Sequence, residues 1–208
     1  FQDISIFAEV IDTVKDDITF LNSFTIQEGF RPDQVSQILY NTPLHYWTFY
    51  LINDNIREQG WPLVRNEFET YIRKVFPNTT LTTRDADLVS KFKVGQTITG
   101  NSSGATGKII KRNIDLGQLI IEGTQNFLQS GETISSTNSA GVVESMVVVS
   151  SSKEFQSASH YVDGTGAIVD IDFRVGPGAL LTEKTHEDVY FAVNESLRDI
   201  TVIRPELI

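Results

Sequence analysis

Cysteine is absent from this chain. That excludes disulfides, thiolate catalysis and cysteine-based zinc sites, and it is compatible with assembly in a reducing cytoplasm. Basic residues are in deficit: 17 Lys and Arg stand against 27 Asp and Glu, for a net charge of -10. Neutralisation of phosphates by Lys and Arg dominates nucleic-acid affinity, so this balance argues against a DNA or RNA partner. A basic or mixed protein surface fits it better. No apolar run approaches the roughly 20 residues a membrane helix needs, so no membrane is expected. The opening Phe1-Gln-Asp-Ile-Ser lacks the basic start and apolar core of a signal peptide. It also lacks Met, which leaves processing or truncation at the N-terminus open.

What is present is ordinary for a soluble protein. The 208 residues are 40% hydrophobic and 21% charged, enough for one or two domains with a core that needs no staples. Three segments read differently. Residues 1–76 are rich in aromatics and helical signals, 77–158 in Gly, Ser and Thr, and 159–208 return to strand and helix patterns.

Ile4, Phe7, Ile11, Val14, Ile18 and Leu21 follow a helical seam, although Ile4, Ile6, Ala8 and Val10 also alternate as in a strand. Phe20, Phe24 and Ile26 fit one strand face. Arg31-Pro32-Asp33 starts a helix, with Pro32 at its first position and Asp33 at the positive end of the dipole; Val35, Ile38 and Leu39 form its buried stripe. Asn41-Thr42-Pro43 breaks it, and Thr42 caps a second helix whose apolar face is Tyr46, Trp47, Tyr50 and Leu51. Asn53-Asp54-Asn55 closes that helix. Val64, Phe68, Tyr71, Ile72 and Val75 predict another, ended by Pro77.

The middle segment holds a faint repeat. Val94-Gly-Gln-Thr-Ile-Thr matches Ser130-Gly-Glu-Thr-Ile-Ser, and Phe92 matches Leu128, at an offset of 36 residues. Two copies predict two halves of a small β domain, with strands at Lys108–Lys111, Gln118–Glu122 and Val142–Val149 and glycines at the turns. Further on, Val169, Ile171, Phe173 and Val175 alternate with Asp170, Asp172 and Arg174, which predicts a strand. Thr185 and Asp188 form a capping-box variant before a helix with Val189, Ala192, Val193, Leu197 and Ile200 on its stripe. A short strand near Thr201 ends the chain.

Catalytic patterns are weak. Gly100-Asn-Ser-Ser-Gly-Ala-Thr-Gly107-Lys108-Ile109 invites a phosphate-loop reading, but Ser102 stands where that loop needs Gly and Ile109 where it needs Ser or Thr. A β-turn between strands is the expectation. Asp163, Asp170 and Asp172 lack the alternating ligand pattern of a calcium loop, and a solvated strand face is expected instead. His45, His160 and His186 lie in no zinc spacing; His45 reads as a partly buried, satisfied side chain and His186 as an exposed first-turn residue. No Gly-x-Ser-x-Gly elbow occurs. Asn78, Asn101 and Asn194 fit the glycosylation sequon, which is idle without secretion. No catalytic, metal or cofactor site is therefore expected, and no small-molecule substrate.

Tyr40, Tyr46, Trp47, Phe49, Tyr50 and Trp61 remain. About half should be core; the rest exceed what two short helices bury between them, and Tyr and Trp are favoured where an apolar face meets a partner.

The block Arg31-Pro32-Asp33, Leu39-Tyr40-Asn41-Thr42-Pro43, Tyr46-Trp47, Asn53-Asp54-Asn55 and Gly60-Trp61-Pro62-Leu63 resembles the core of the baseplate wedge protein family (gene product 53) of contractile-tailed phages. His186-Glu-Asp-Val, Asn194-Glu195-Ser-Leu197-Arg198 and Ile200-Thr-Val202-Ile203 resemble that family's C-terminal helix and final strand. Together the blocks cover less than half of the chain. The first block is also similar to a LysM module, and the middle segment departs from the family pattern and looks like β modules of other tail proteins.

The resemblance implies an α+β fold. A small LysM-like N-terminal unit would bind the wedge, an inserted all-β domain would follow, and a C-terminal strand and helix would return to the first unit. It implies a structural protein of the virion tail baseplate, assembled in the host cytoplasm. Its partners would be other wedge proteins, the sheath-initiating protein and neighbouring wedges. The mechanism would be interface burial without a cofactor. The expected contact residues are Arg31, Pro32, Tyr40, Tyr46, Trp47, Tyr50, Asn53, Asp54, Trp61 and Pro62. The alternative is a LysM-like glycan-binding module of a cell-wall hydrolase or tail spike.

Overall fold

The computed structural model describes residues 14–15 and 18–208. Strand β1 (Leu21–Thr25) leads to helices α1 (Pro32–Tyr40), α2 (Trp47–Ile52), α3 (Asp54–Gln59) and α4 (Arg65–Val75). Then come β2 (Thr79–Thr82), β3 (Thr97–Gly100), β4 (Thr106–Asn113), β5 (Gln118–Ile121), β6 (Thr133–Thr137), β7 (Val143–Val147), β8 (Ser150–Lys153), β9 (Ala158–Val162), β10 (Ile168–Val169) and β11 (Thr182–Thr185). Helix α5 (His186–Ser196) and strand β12 (Asp199–Ile203) finish the chain. The architecture mixes helices with several sheets. By compactness there are two units, Phe1–Phe68 with Phe191–Ile208, and Glu69–Tyr190. The changes in composition fall elsewhere, at 76/77 and 158/159, whereas the compact division leaves β9, β10 and β11 in the second unit.

In the first unit β1 and β12 pair antiparallel, from Leu21↔Ile203 to Thr25↔Asp199. Arg31 donates its backbone N–H to Gln34 Oε1 (3.0 Å) at the start of α1, where Pro32 sits at the first helical position. Asn41 ends that helix in the left-handed region at φ 56°, a conformation Asn tolerates. Thr42 Oγ1 then accepts Leu44 N–H (3.4 Å) ahead of a 3-10 turn, Pro43–His45, and α2 follows. The core is Ile26, Val35, Phe49, Ile56, Leu197, Ile200 and Val202, with Phe24, Phe30, Leu39, Tyr40, Tyr50 and Trp61 packed against it. Full burial of one such side chain is worth about 1.5–3 kcal/mol.

Two buried amides tie this unit together. Asn53 accepts Thr201 N–H at 2.7 Å and donates Nδ2–H to Thr201 O (2.7 Å) and Phe49 O (2.9 Å). Asn194 does the same to Leu63, accepting its N–H at 2.8 Å and donating to its carbonyl at 3.1 Å.

In the second unit the sheet order is β7-β6-β3-β4-β5-β2-β8. Only Val148 and Val149 separate β7 from β8. The sheet therefore closes on itself through residues 143–153, as small antiparallel barrels do to remove their edges. Inside lie Leu81, Leu88, Phe92, Ile98, Ile109, Leu119, Ile121, Phe127, Ile134, Met146 and Val148. The repeat is built into this sheet. β3 and β6 are its equivalent strands, and they pair about Thr99↔Ser135, with Ile98↔Ser136 and Gly100↔Ile134 on either side. Exchanging the copies leaves the pairing unchanged, which is a local twofold. Gly95 N–H bonds Ile109 O (2.8 Å) as Gly131 N–H bonds Val148 O (2.9 Å), and both glycines have positive φ. A separate three-stranded sheet, β10-β9-β11, completes the unit.

Several local expectations are corrected. The alternation at 169–175 forms no long strand: β10 stops at Val169, and Asp172 opens a turn by accepting the N–H groups of Val175 (3.0 Å) and Gly176 (2.9 Å). The strand faces expected for Asp170 and Asp172 are absent for the same reason. In α2 the buried residues are Thr48 and Phe49, while Trp47 and the capping Tyr46 point outward. In α5 the buried position is Asn194, with Leu197 buried just past its end, and Val193 is exposed, because the amide of Asn194 takes the face that periodicity gave to valine. His186 is half-buried, stacked 4.5 Å from the Phe76 ring. Of the N-terminal seam, Ile4, Phe7 and Ile11 lie outside the described residues, and Val14 and Leu21 are partly buried.

Replacing Asn53 leaves both backbone groups of Thr201 without their partner in a buried setting. Asn53→Ala is expected to lower the unfolding free energy in urea by about 2–3 kcal/mol. The exposed neighbour change Asn55→Ala should shift it by less than about 0.5 kcal/mol.

Candidate functional site

The aromatic block separates into two populations. One is a connected row inside the first unit: His45 meets Tyr40 edge-on at 6.1 Å, Tyr40 stacks on Phe49 at 6.0 Å, Phe49 meets Trp61 at 6.1 Å and Trp61 meets Tyr50 at 6.0 Å. Two polar tips of this row are engaged. Tyr40 O–H donates to Ile203 O (3.1 Å) and Trp61 Nε1–H to Phe30 O (2.7 Å). Burial raises the hydroxyl pKa of both Tyr40 and Tyr50. The other population faces out. Tyr46 is 45% exposed and Trp47 48%, as are Leu44 at 71% and Ile38 at 54%.

The expected contact residues divide accordingly. Arg31, Tyr46, Trp47 and Asp54 are on the surface. Arg31 pairs with Asp33 (3.0 Å), and Asp54 pairs with Lys15 (2.8 Å) and Arg57 (2.9 Å). The hydrogen bond from Lys15 holds the Asp54 carboxyl below its ordinary range. Pro32, Tyr40, Tyr50 and Trp61 are partly buried, and Asn53 and Pro62 are buried; these six shape the unit. Sequence reasoning placed Ile38 in the buried stripe of α1 and passed over Leu44. The signal for Leu44 was its position between Pro43 and His45, on a turn too short to enclose it.

The outward residues are held firmly. Ser36, buried in α1, donates Oγ–H to Thr42 O (2.7 Å) and accepts His45 N–H (3.2 Å), while Thr48 Oγ–H bonds His45 O (2.7 Å). Exposed apolar side chains clustered in sequence, as Leu44, Tyr46 and Trp47 are, mark candidate interaction surfaces.

The phosphate-loop look-alike is a hairpin loop between β3 and β4, and its amides are already engaged. Glu132 Oε1 accepts Ser102 N–H (3.2 Å) and Ser103 N–H (2.7 Å), and Oε2 accepts Leu128 N–H (2.7 Å). A Cβ on Gly100 would collide with that carboxylate. Asp163 likewise serves its own turn, accepting from Thr165 and Ala167. Among the described residues no group of three or more His, Asp or Glu is placed to hold a metal. No helix among them is long and apolar enough to cross a membrane. No family model matches the chain, and no curated protein matches it.

Burial opposes the charge on Glu132, but the three N–H bonds outweigh it and its pKa falls below the ordinary 4.5. A depressed carboxyl stabilises the fold above its ordinary pKa and loses that contribution as pH drops through the folded value. In a pH series of melting curves, Glu132→Gln is expected to lose about 1–3 kcal/mol near neutrality, since its amide faces N–H donors. Its melting temperature should fall less steeply than wild type below pH 4.5.

Proposed function

We propose that this chain is a structural component of a phage tail baseplate wedge, binding wedge core proteins and helping to join neighbouring wedges into the ring. The observation that carries the reading is the outward Ile38, Leu44, Tyr46 and Trp47, which lie in the block that resembles the wedge family. In this reading the first unit is a LysM-like adaptor, with α1 and α2 between β1 and the returning β12, and the second unit is the inserted β domain. Aromatic side chains on a rigid support are what interface hot spots use: they bury much area and lose little conformational freedom. The acidic balance suits partners with basic or mixed surfaces. The site of the work is the virion tail, and the mechanism is surface burial, with no chemical step.

The structural and contact roles of the aromatic block can be separated by mutation. Trp61→Ala is expected to cost about 2–4 kcal/mol of stability, since it opens the inner row. Tyr46→Ala with Trp47→Ala should leave stability within about 1 kcal/mol. The same double change should abolish co-elution with the wedge core proteins in size-exclusion chromatography with light scattering. A double variant that folds and still co-elutes would remove the surface from the proposal. A wild-type chain that ignores those proteins but sediments with peptidoglycan would replace it with the glycan-binding alternative.

A further inference from the structure

The second unit contains a cavity of about 380 Å³ that plays no part in the wedge reading. Small-molecule sites run from about 300 to 1,000 Å³, so it lies at the small end. Its floor is the outer face of the closed sheet: Thr82 of β2, Gln118 of β5, and Ser150 and Ser152 of β8. These positions share a face because Thr82 pairs with both Gln118 and Ser150. They lie opposite the core face, where Leu81 and Leu119 are buried. The wall across from them includes Ile171, Phe173 and Pro177.

Several polar side chains around this space are unused, although Ser157 donates Oγ–H to Glu154 O (2.8 Å). The hydroxyls of Thr82, Ser150 and Ser152 and the amide of Gln156 make no hydrogen bond among the described residues. Gln118 is only 3% exposed; it donates Nε2–H to Ala158 O (2.9 Å), and its Oε1 has no partner there. Arg84 makes no ion pair or hydrogen bond among the described residues. Its guanidinium lies along Gly176, with Nη2, Cζ and Nε at 2.6, 2.7 and 2.9 Å from where a Cβ would stand. A side chain at Gly176 would push it aside. Across the rim Glu183 accepts from Tyr161 O–H (3.3 Å). Burial, and then the Glu183 charge, push that hydroxyl up to about 12, so it stays a donor.

Groups in polar cavities find partners, in protein, water or ligand. Here the set is a donor fork, a carboxylate, several hydroxyls that serve either way, and an apolar wall. Arg84 and Glu183 cancel in charge, which disfavours phosphate or any other strongly anionic guest. A polyhydroxylated ring offers vicinal hydroxyls, which both a guanidinium and a carboxylate can bond, and a C–H face that suits an aromatic side chain such as Phe173. We propose that this cavity binds a neutral, hydroxyl-rich ring compound of monosaccharide size.

The test is saturation-transfer-difference NMR on the whole chain with glucose, galactose and N-acetylglucosamine, each at tens of millimolar. At least one sugar is expected to receive saturation. Arg84→Ala and Ser152→Ala, both at partly or fully exposed positions, should each weaken that binding by about tenfold or more, a loss of one contact set. Tyr46→Ala with Trp47→Ala should leave it unchanged, so the cavity and the wedge surface can fail separately. The proposal is overturned if none of the sugars receives saturation, if both cavity variants bind as wild type does, or if acetate displaces the sugar and so reveals an anion site at Arg84.

Discussion

The first unit depends on one closure: a strand near the start of the described chain paired to a strand near its end. Thr25 and Asp199 are 174 residues apart and still share a side-chain hydrogen bond of 2.8 Å at the end of the β1–β12 ladder. Closing a loop of that length costs about 4–5 kcal/mol in chain entropy before any contact rewards it. A two-stranded ladder alone does not meet such a cost. Asn53 supplies what the ladder lacks. Its amide bonds both backbone groups of Thr201, acting as a one-residue third strand, and it holds the end of α2 through Phe49 O. Ile200 and Val202, on either side of Thr201, then fall into the core with Phe49 and Ile56.

The second unit shortens that loop by its own folding. Tyr71 and Tyr190, near its two ends in sequence, meet at 6.4 Å, and Phe76 meets Tyr190 edge-on at 5.3 Å. In the first unit Phe68 and Phe191, where the chain leaves and returns, meet at 5.5 Å. Ends this close are what lets one compact unit interrupt another in sequence. The β sheet of the second unit needs no help from outside, because it closes on itself. Its repeat uses one backbone scheme twice: a glycine and the following residue bond Ile109 in one copy and Val148 in the other. The copies differ where it matters for charge. Gln96 of the first accepts from its own turn, at Lys93 N–H, and donates Nε2–H to Glu144 (3.2 Å), whereas the carboxylate of Glu132 in the second accepts from its own turn and from Ser102 and Ser103. A single carboxylate thus pins its own turn and the β3–β4 loop, and it fills the amides that give that loop its phosphate-binding look.

Local signals were legible wherever the deciding interaction is local. Pro32 at the start of α1, the break at Asn41, the box of Thr185 with Asp188 (3.0 Å in both directions) and the turn glycines of the repeat all depend on neighbours a few residues away. The misses have the opposite cause. The 169–175 alternation lacks a partner strand beyond β10's two residues, and alternation without a partner does not make a sheet. Asn194 displaced Val193 from the buried face because Leu63, 131 residues away, needed a donor and an acceptor. The cavity in the second unit was invisible for the same reason: Arg84, Gln118, Ser152 and Phe173 come from separate stretches that only the fold assembles.

The outward aromatics are a place where the first unit gives up burial it could use. Phe49 is enclosed and Trp47, two residues earlier, is not, though a helix of this length could present only one apolar face. Leu44 is more exposed still, on a turn fixed by Ser36 and Thr42. If these side chains were merely left over, nothing would require the turn beneath them to be rigid. Instead Ser36 bonds both ends of it and Thr48 bonds its last carbonyl, so the apolar patch is presented on backbone that has already lost its freedom. A partner that covers it then gains the area without the entropy cost of ordering a loop. That combination, an apolar patch on a locked turn, is the physical reason for reading the first unit as an adaptor surface.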